Sequence, residues 1–323
     1  MKKSFICFLA GAVAAVLVFT GCQTAEEKAV AKYKTALVKG REMESYTTAG
    51  NVDMEVGISG MNMDISISLD GSVKDKGKTA AFHMVTQAMG QTMETDMFSQ
   101  DGYLYTGVPG AQGKFIKQSY EEATGMQYQQ LLDMSNTEMT AIYAEAIDKA
   151  ENLTCTQMED KKVNVTFDFP QETLTSMENT MVEMLSGSMG QTMENNLREQ
   201  LGVVGLSGQE LDDFVKQMMS VYQEMFSSLT INKIAMNTTI NKEGYAVNQK
   251  MTMEMSLDFS SLLNLLGEAN DPIAQAQLKN ISFKITANMN VDNINEDVSV
   301  EVPAISEENI LTQEEAAAYQ LAA

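Results

Sequence analysis

The stretch from Leu229 to Phe259 constrains the fold most, because apolar and polar residues alternate there for long enough to build two β-strands around Glu243-Gly244. If those two residues form the loop, Lys242 faces Tyr245, Ile240 faces Val247, Met236 faces Met251 and Ile234 faces Met253. All the apolar partners then share one face. Slipping the register by one residue would set Met236 against Lys250 and bury a charge in an apolar row, so the pattern selects its own pairing. Met251, Met253 and Met255 recur on that face, with Thr252, Glu254 and Ser256 on the other. A strand pair wet on one side and apolar on the other must find a layer to cover its apolar side.

The same alternation runs from Ser45 to Gln118 and predicts a β-meander. A loop at Ser59-Gly60 pairs Val56 with Met63, Met54 with Ile65 and Val52 with Ile67. A reversal near Asp75-Lys76 sets Leu69 against Phe82 and Ile67 against Met84. One at Met89-Gly90 joins Met84 to Thr95 and Phe82 to Met97, and one at Gln100-Asp101 brings Leu104 beside Met97. Turn residues and face parity agree over four reversals, which a helix would not produce. Between the meander and the hairpin the period changes to that of helices. Met139, Ile142, Tyr143, Ala146, Ile147 and Ala150 follow a Ser135/Glu138 capping box. Leu153 and Cys155 then face Val163, Val165 and Phe167 in a strand pair. Two more amphipathic helices follow, one lined by Leu174, Met177, Met181, Met184 and Leu185. The other is lined by Leu211, Phe214, Val215, Met218, Tyr222 and Met225 behind a Ser207/Glu210 capping box. Gly187, Gly190 and Gly202 to Gly208 mark the loops between them. A short apolar helix around Leu262 to Leu266, a strand from Ile281 to Val291 and a return strand through Val298, Val300 and Val302 complete the order. Meander, helices and a second meander predict an α+β fold: a strongly curved antiparallel sheet, an open half-barrel, with helices packed over the concave face. The segment Met89-Gly90-Gln91-Thr92-Met93-Glu94 recurs at 189–194, once in predicted strands and once between predicted helices, which marks the echo as accidental.

The N-terminus carries an address. Lys2 and Lys3 precede an uncharged run from Phe5 to Phe19 that ends in Thr20-Gly21-Cys22. That run is shorter than the roughly 20 residues of a bilayer-spanning helix and suits a signal-peptide core. Phe19-Thr20-Gly21-Cys22 resembles the bacterial lipobox, with Phe19 where Leu is usual, and makes Cys22 the expected lipid-attachment residue. An ordinary cleaved signal with an incidental cysteine is the alternative. Loss of Lys2 and Lys3 with the signal takes the net charge from −22 to −24, a field that repels nucleic acid and anionic lipid surfaces. Cys7 leaves with the signal, so an acylated Cys22 leaves Cys155 as a free thiol with no disulfide partner.

The lipobox, a short helix over Glu26 to Arg41, the Ser45-Tyr46 entry into a long meander and the Asp101-Gly102-Tyr103-Leu104-Tyr105 strand together resemble the LolA/LppX-like lipoproteins. Many lipoproteins of Gram-positive bacteria share this layout. The resemblance covers most of the mature chain and implies an open, incomplete barrel whose hollow holds lipids or acylated molecules. Soluble LolA-type carriers lack a lipobox, and this chain is longer than the simplest members. The implied organisation is a signal peptide over 1–21, a tether and helix over 22–44, a curved-sheet domain over 45–303 and a C-terminal tail over 304–323.

Nothing in the chain selects a reaction. The only histidine, His83, alternates away from the apolar face, and no metal-ligand cluster, nucleophile elbow or phosphate loop is present, so no enzyme activity, cofactor or metal is expected. Methionine is the compositional signal, at 26 residues with no tryptophan. Its flexible thioether adapts to irregular apolar ligands, and it also fills ordinary cores. The expected function is that of a membrane-anchored extracytoplasmic lipoprotein binding or carrying a lipid or other hydrophobic ligand in a Met-rich apolar cavity. The candidate lining is Ile234, Met236, Met251, Met253, Met255, Met54, Met63 and Met97. The alternative is a cell-surface scaffold or protein-interaction module with a solid core and no ligand.

Overall fold

The computed structural model describes residues 24–58, 61–121, 140–186, 188–203, 207–260 and 281–312, together with 272, 315, 316 and 319. Cys22, the Ser59-Gly60 loop, the Ser135/Glu138 capping box with Met139, and the Leu262–Leu266 helix lie outside the described residues. The remainder forms one large, mostly antiparallel sheet of twelve strands that is not closed into a barrel, with five α-helices.

The first meander supplies β1 (Tyr46–Ile58), β2 (Met61–Lys74), β3 (Thr79–Ala88), β4 (Gln91–Gln100), β5 (Tyr103–Gly107) and β6 (Phe115–Ser119). After the first helices come β7 (Glu151–Gln157) and β8 (Val163–Asp168), and then β9 (Thr230–Ile240), β10 (Ala246–Leu257) and β11 (Ile281–Asp292). β12 (Ile310–Leu311), the last strand among the described residues, pairs parallel to β6. Strand β11 pairs with β1, so the two antiparallel runs are joined through the last long strand and the first.

The β9/β10 hairpin keeps the expected pairs Met236–Met251 and Ile234–Met253 by a different route. The loop has three residues, because Asn241 N–H bonds the Tyr245 carbonyl and Gly244 takes a positive φ of 92°. Ile240 therefore faces Ala246, not Val247. A β-bulge at Val247 absorbs the extra residue and restores the register from Asn248 onward. A second irregularity at Asn232 lets both Ile231 and Ile234 point inward, which strict alternation forbids.

In the meander, β1/β2 and β3/β4 pair as the sequence predicts. Two reversals differ by two residues. A 3₁₀ turn over Asp75–Gly77 lengthens the β2/β3 loop, so Leu69 faces Met84 and Ile67 faces Thr86. The β4/β5 turn sits at Asp101-Gly102, so Leu104 faces Ser99 and Met97 faces Thr106. A two-residue shift leaves every side chain on its face, and the apolar row survives both corrections. The predicted return strand through Val298, Val300 and Val302 is not one. Those residues are irregular, and the chain leaves β11 through Asn293 and Asn295, both with positive φ.

The helices are α1 (Ala25–Arg41), α2 (Thr140–Asp148), α3 (Gln171–Ser186), α4 (Ser188–Val203) and α5 (Gly208–Ser227). Helix α1 opens with a capping box between Thr24 and Glu27. Helix α4 occupies a stretch predicted as loop. Gly190 sits inside it, and Arg198 holds Glu194 one turn away and Asp212 of α5. The Ser207/Glu210 capping box does not form, since Ser207 makes no side-chain cap bond. Helices α1 and α3 rest on the β7 to β10 half of the sheet. The main core lies there: Tyr33, Ala36, Ile147, Val165, Phe167, Leu174, Ile231 and Ile234 form one buried cluster.

Candidate functional site

Register decides which residues share a face. From Met236–Met251 the pairs run through Ala287 and Val52 to Ile67 and Thr86. From Met253 they run through Ile285 and Met54 to Ile65, and from Met255 through Phe283 and Val56 to Met63. Met97 joins through Phe82, Gly71 and Thr48. All eight candidate residues therefore lie on one face. By the same pairings no Asp, Glu, Lys, Arg or His falls on that face in β1 to β6 or β8 to β11. Every charge of these strands is on the other side.

Exposure along this face is graded. Under the helices it is closed core: Val165 and Phe167 are fully buried, Ile234 is 1% exposed and Met236 5%. Met251, Met253 and Met255 are half-buried and pack on the edge of that core. Across β11, β1 and β2 the residues Ile285, Met54, Met63, Ile65 and Ile67 are also half-buried, as is Met97 on β4. At the far end Met93 is 46% exposed and Met61 70%. Smaller residues of this half, Thr48, Val56 and Thr95, are buried. Its opposite end is roofed, because Ser99 Oγ bonds the Tyr120 hydroxyl and the carbonyls of Gly77 and Lys78 above buried Val73 and Ala80.

Sequence reasoning treated the eight as equivalent. What separates Ile234 and Met236 from the rest is the position of α1 and α3, a tertiary fact with no local signal. Within the β9/β10 hairpin two polar residues interrupt the apolar row, Thr238 and its cross-strand partner Gln249. The Thr238 and Tyr33 hydroxyls are buried and find no hydrogen-bond partner among the described residues. Burial holds the Tyr33 phenol well above the ordinary tyrosine range, so it stays neutral.

Over β1, β2 and β8 to β11 the opposite face is polar and hydrogen-bonded across strands, whereas on β4 and β6 it carries the buried pair Phe98 and Phe115. Asn164 donates to Asn237 (2.7 Å), Asn248 donates to Asn288 (2.9 Å) and Asn290 (2.8 Å), and Ser66 donates to Asp53 (2.7 Å). His83 lies on this side, 2.8 Å from Asp96, and that hydrogen bond raises its pKa above the ordinary value. A cleft of about 670 Å³ and another of about 360 Å³ open here. The larger is lined by Asp53, Glu55, Asp64, Ser66, Gln87 and Thr92, with Met54 and Ile65 at its edge. Neither is lined by the eight residues expected around a Met-rich apolar cavity, apart from Met54 in the larger and Met255 in the smaller. Among the described residues no three His, Cys, Asp or Glu converge as a metal site, and no helix is long and apolar enough to cross a membrane.

No protein-family model matches the chain, and no curated protein matches it. Among solved structures, LprF from Mycobacterium bovis aligns over 86% of this chain and 98% of its own at 10% identity, with a TM-score of 0.38. A DUF1329 family protein from Desulfovibrio piger covers 87% and 98% at 8% identity and a TM-score of 0.24. A beta-barrel-like protein of domain of unknown function DUF1849 from Brucella abortus covers 77% and 98% at 10% identity and a TM-score of 0.22. Likeness this distant defines neither family nor function, and the functional reading rests on the face itself.

Proposed function

We propose that the chain is an extracytoplasmic lipoprotein, anchored through an acylated Cys22, that binds a lipid or other hydrophobic ligand on the apolar face of a curved sheet. One observation carries the ligand reading. A face without a single charged residue extends past the helix-covered core onto β11 and β1 to β4, where its large apolar side chains are mostly half-buried and Met61 and Met93 are exposed. Exposed apolar patches of that kind mark ligand or partner sites, because leaving them in water forgoes roughly 25 cal/mol per Å². Methionine is the residue that conforms to acyl chains of varied shape. Ligand contact belongs to Met54, Met63 and Met97, with Met251, Met253 and Met255 at the boundary, while Ile234 and Met236 serve the core. The absence of any cation on the face favours uncharged acyl chains over ionised head groups, which would stay in water. A soluble form starting at Gln23 tests this: mass spectrometry of its organic extract detects co-purified lipid, and a fluorescent acyl probe measures uptake. A protein with no extractable lipid and no saturable uptake refutes the ligand and leaves the interaction-module alternative.

A further inference from the structure

Helix α1 is basic within an acidic chain, with Lys28, Lys32, Lys34, Lys39 and Arg41 against Glu26 and Glu27. Its inner side is fixed by Ala29, Tyr33 and Ala36, all buried. At 100° per residue the opposite side presents Ala31, Thr35 and Val38, with Glu27 near its start and the exposed C-cap residue Glu42 at its end. Ala31 and Thr35 are exposed, and Val38 is 51% exposed. The Thr35 hydroxyl donates to the Ala31 carbonyl at 2.8 Å, so the strip offers little polarity of its own. Basic residues rim it. Lys28 and Lys32 are exposed on one flank, with Lys39 over the Tyr245 ring at 5.0 Å; Lys34 and Arg41 border the other, held by Asp148 and Thr140. Glu27 is turned back onto the Thr24 backbone N–H as part of the cap. A strip of small side chains between basic flanks, held beside a lipid anchor, suits contact with anionic head groups.

We infer that the outer side of α1 docks on the anionic leaflet that holds the Cys22 lipid, so that the acidic bulk of the protein projects away from the bilayer. The docking rests on the proposed anchor and is independent of the ligand. Two residues, Gln23 and Thr24, separate Cys22 from Ala25, and the three backbone steps reach about 10 Å at most, which keeps the start of α1 near the head groups. The Debye length in physiological salt is about 8 Å, so the lysines feel the surface only when held at that range, and the anchor holds them there. The net negative charge of the chain as a whole is repelled by an anionic membrane, which favours the orientation with α1 toward it.

The chain has no tryptophan, so one introduced residue reports its own surroundings. Lipidated mature protein carrying Val38→Trp is reconstituted in vesicles of phosphatidylcholine alone or mixed with phosphatidylglycerol, and anchoring is checked by flotation. With phosphatidylglycerol present, the indole emission shifts to the blue and is quenched by brominated acyl chains. High salt and the double change Lys28→Glu with Lys32→Glu reverse both effects. Ala31→Trp provides a second position on the strip with the same expectation. Protein that floats with both vesicles while its emission stays water-like and unquenched overturns the docking and leaves the anchor standing. Protein that does not float overturns both. Ligand binding, measured on the soluble form, is unaffected by either outcome.

Discussion

Placing lysine at two points of the charge-free face separates closed core from open binding surface. Ile234 is 1% exposed under α3, and its replacement by lysine loses about 1.5–3 kcal/mol of apolar transfer. It also buries an ammonium with no partner, which costs several kcal/mol more. The total reaches the lower part of the roughly 5–15 kcal/mol that holds a domain together, so Ile234→Lys should not fold. Met54 lies on the same face, between Ile285 and Ile65, and is half-buried. There a lysine can run its stem over the apolar neighbours and keep its ammonium in water, at a cost of about 1 kcal/mol. Urea titration followed by circular dichroism measures both. The expected result is a small shift of midpoint for Met54→Lys with an unchanged slope, and no cooperative transition for Ile234→Lys. Equal loss at both positions would show that the face is packed core from end to end, and the ligand reading would fall.

Other expectations are quickly checked. Cys22→Ala should release the protein from the detergent phase into the aqueous phase on phase separation; unchanged partitioning would remove the lipoprotein reading. Cysteines at Met236 and Met251 face each other across β9 and β10 and should crosslink under mild oxidation, whereas a cysteine at Thr252 in place of Met251 lies on the other face and should not. The single imidazole of His83 gives one clean titration by nuclear magnetic resonance. Its folded pKa is raised by Asp96, so the pair's contribution to stability is fully present below about 6.5 and is lost as pH rises through the folded value. Asp96→Asn should return the midpoint toward the ordinary histidine value.

Much of the fold could be read from alternation, because face parity depends only on whether a turn shifts the register by an odd or an even number. The β2/β3 and β4/β5 registers were each displaced by two, so Leu69, Met84, Met97 and Leu104 changed partners without changing sides. At the β9/β10 hairpin the loop shift was odd, and only the bulge at Val247 cancelled it. Bulges leave no compositional mark here, which is why Ile231 and Ile234 could not be seen as joint core residues. Helix α4 was hidden by Gly190, a local breaker overridden by Arg198 and its two carboxylate partners on α4 and α5. Val298, Val300 and Val302 alternate like a strand, yet hydrogen bonds after β11 go to the chain entry instead, with Asn295 N–H donating to the Ser45 carbonyl at 2.7 Å. The candidate face was legible as a face. Its division into core and open surface was not, since the helices that cover one half and not Met61 or Met93 are placed by long-range packing.

On the proposed reading, the half of the charge-free face that no helix core covers, from Met54 to Met97, holds an apolar ligand. Titrating a fluorescent acyl probe into the soluble form beginning at Gln23, beside its Met54→Lys variant, tests it most directly. Saturable uptake with defined stoichiometry by the wild type, and loss of uptake by a variant that keeps its cooperative urea transition, is the predicted result. A wild type that takes up no probe after delipidation, or a folded variant that binds as well as the wild type, would contradict it.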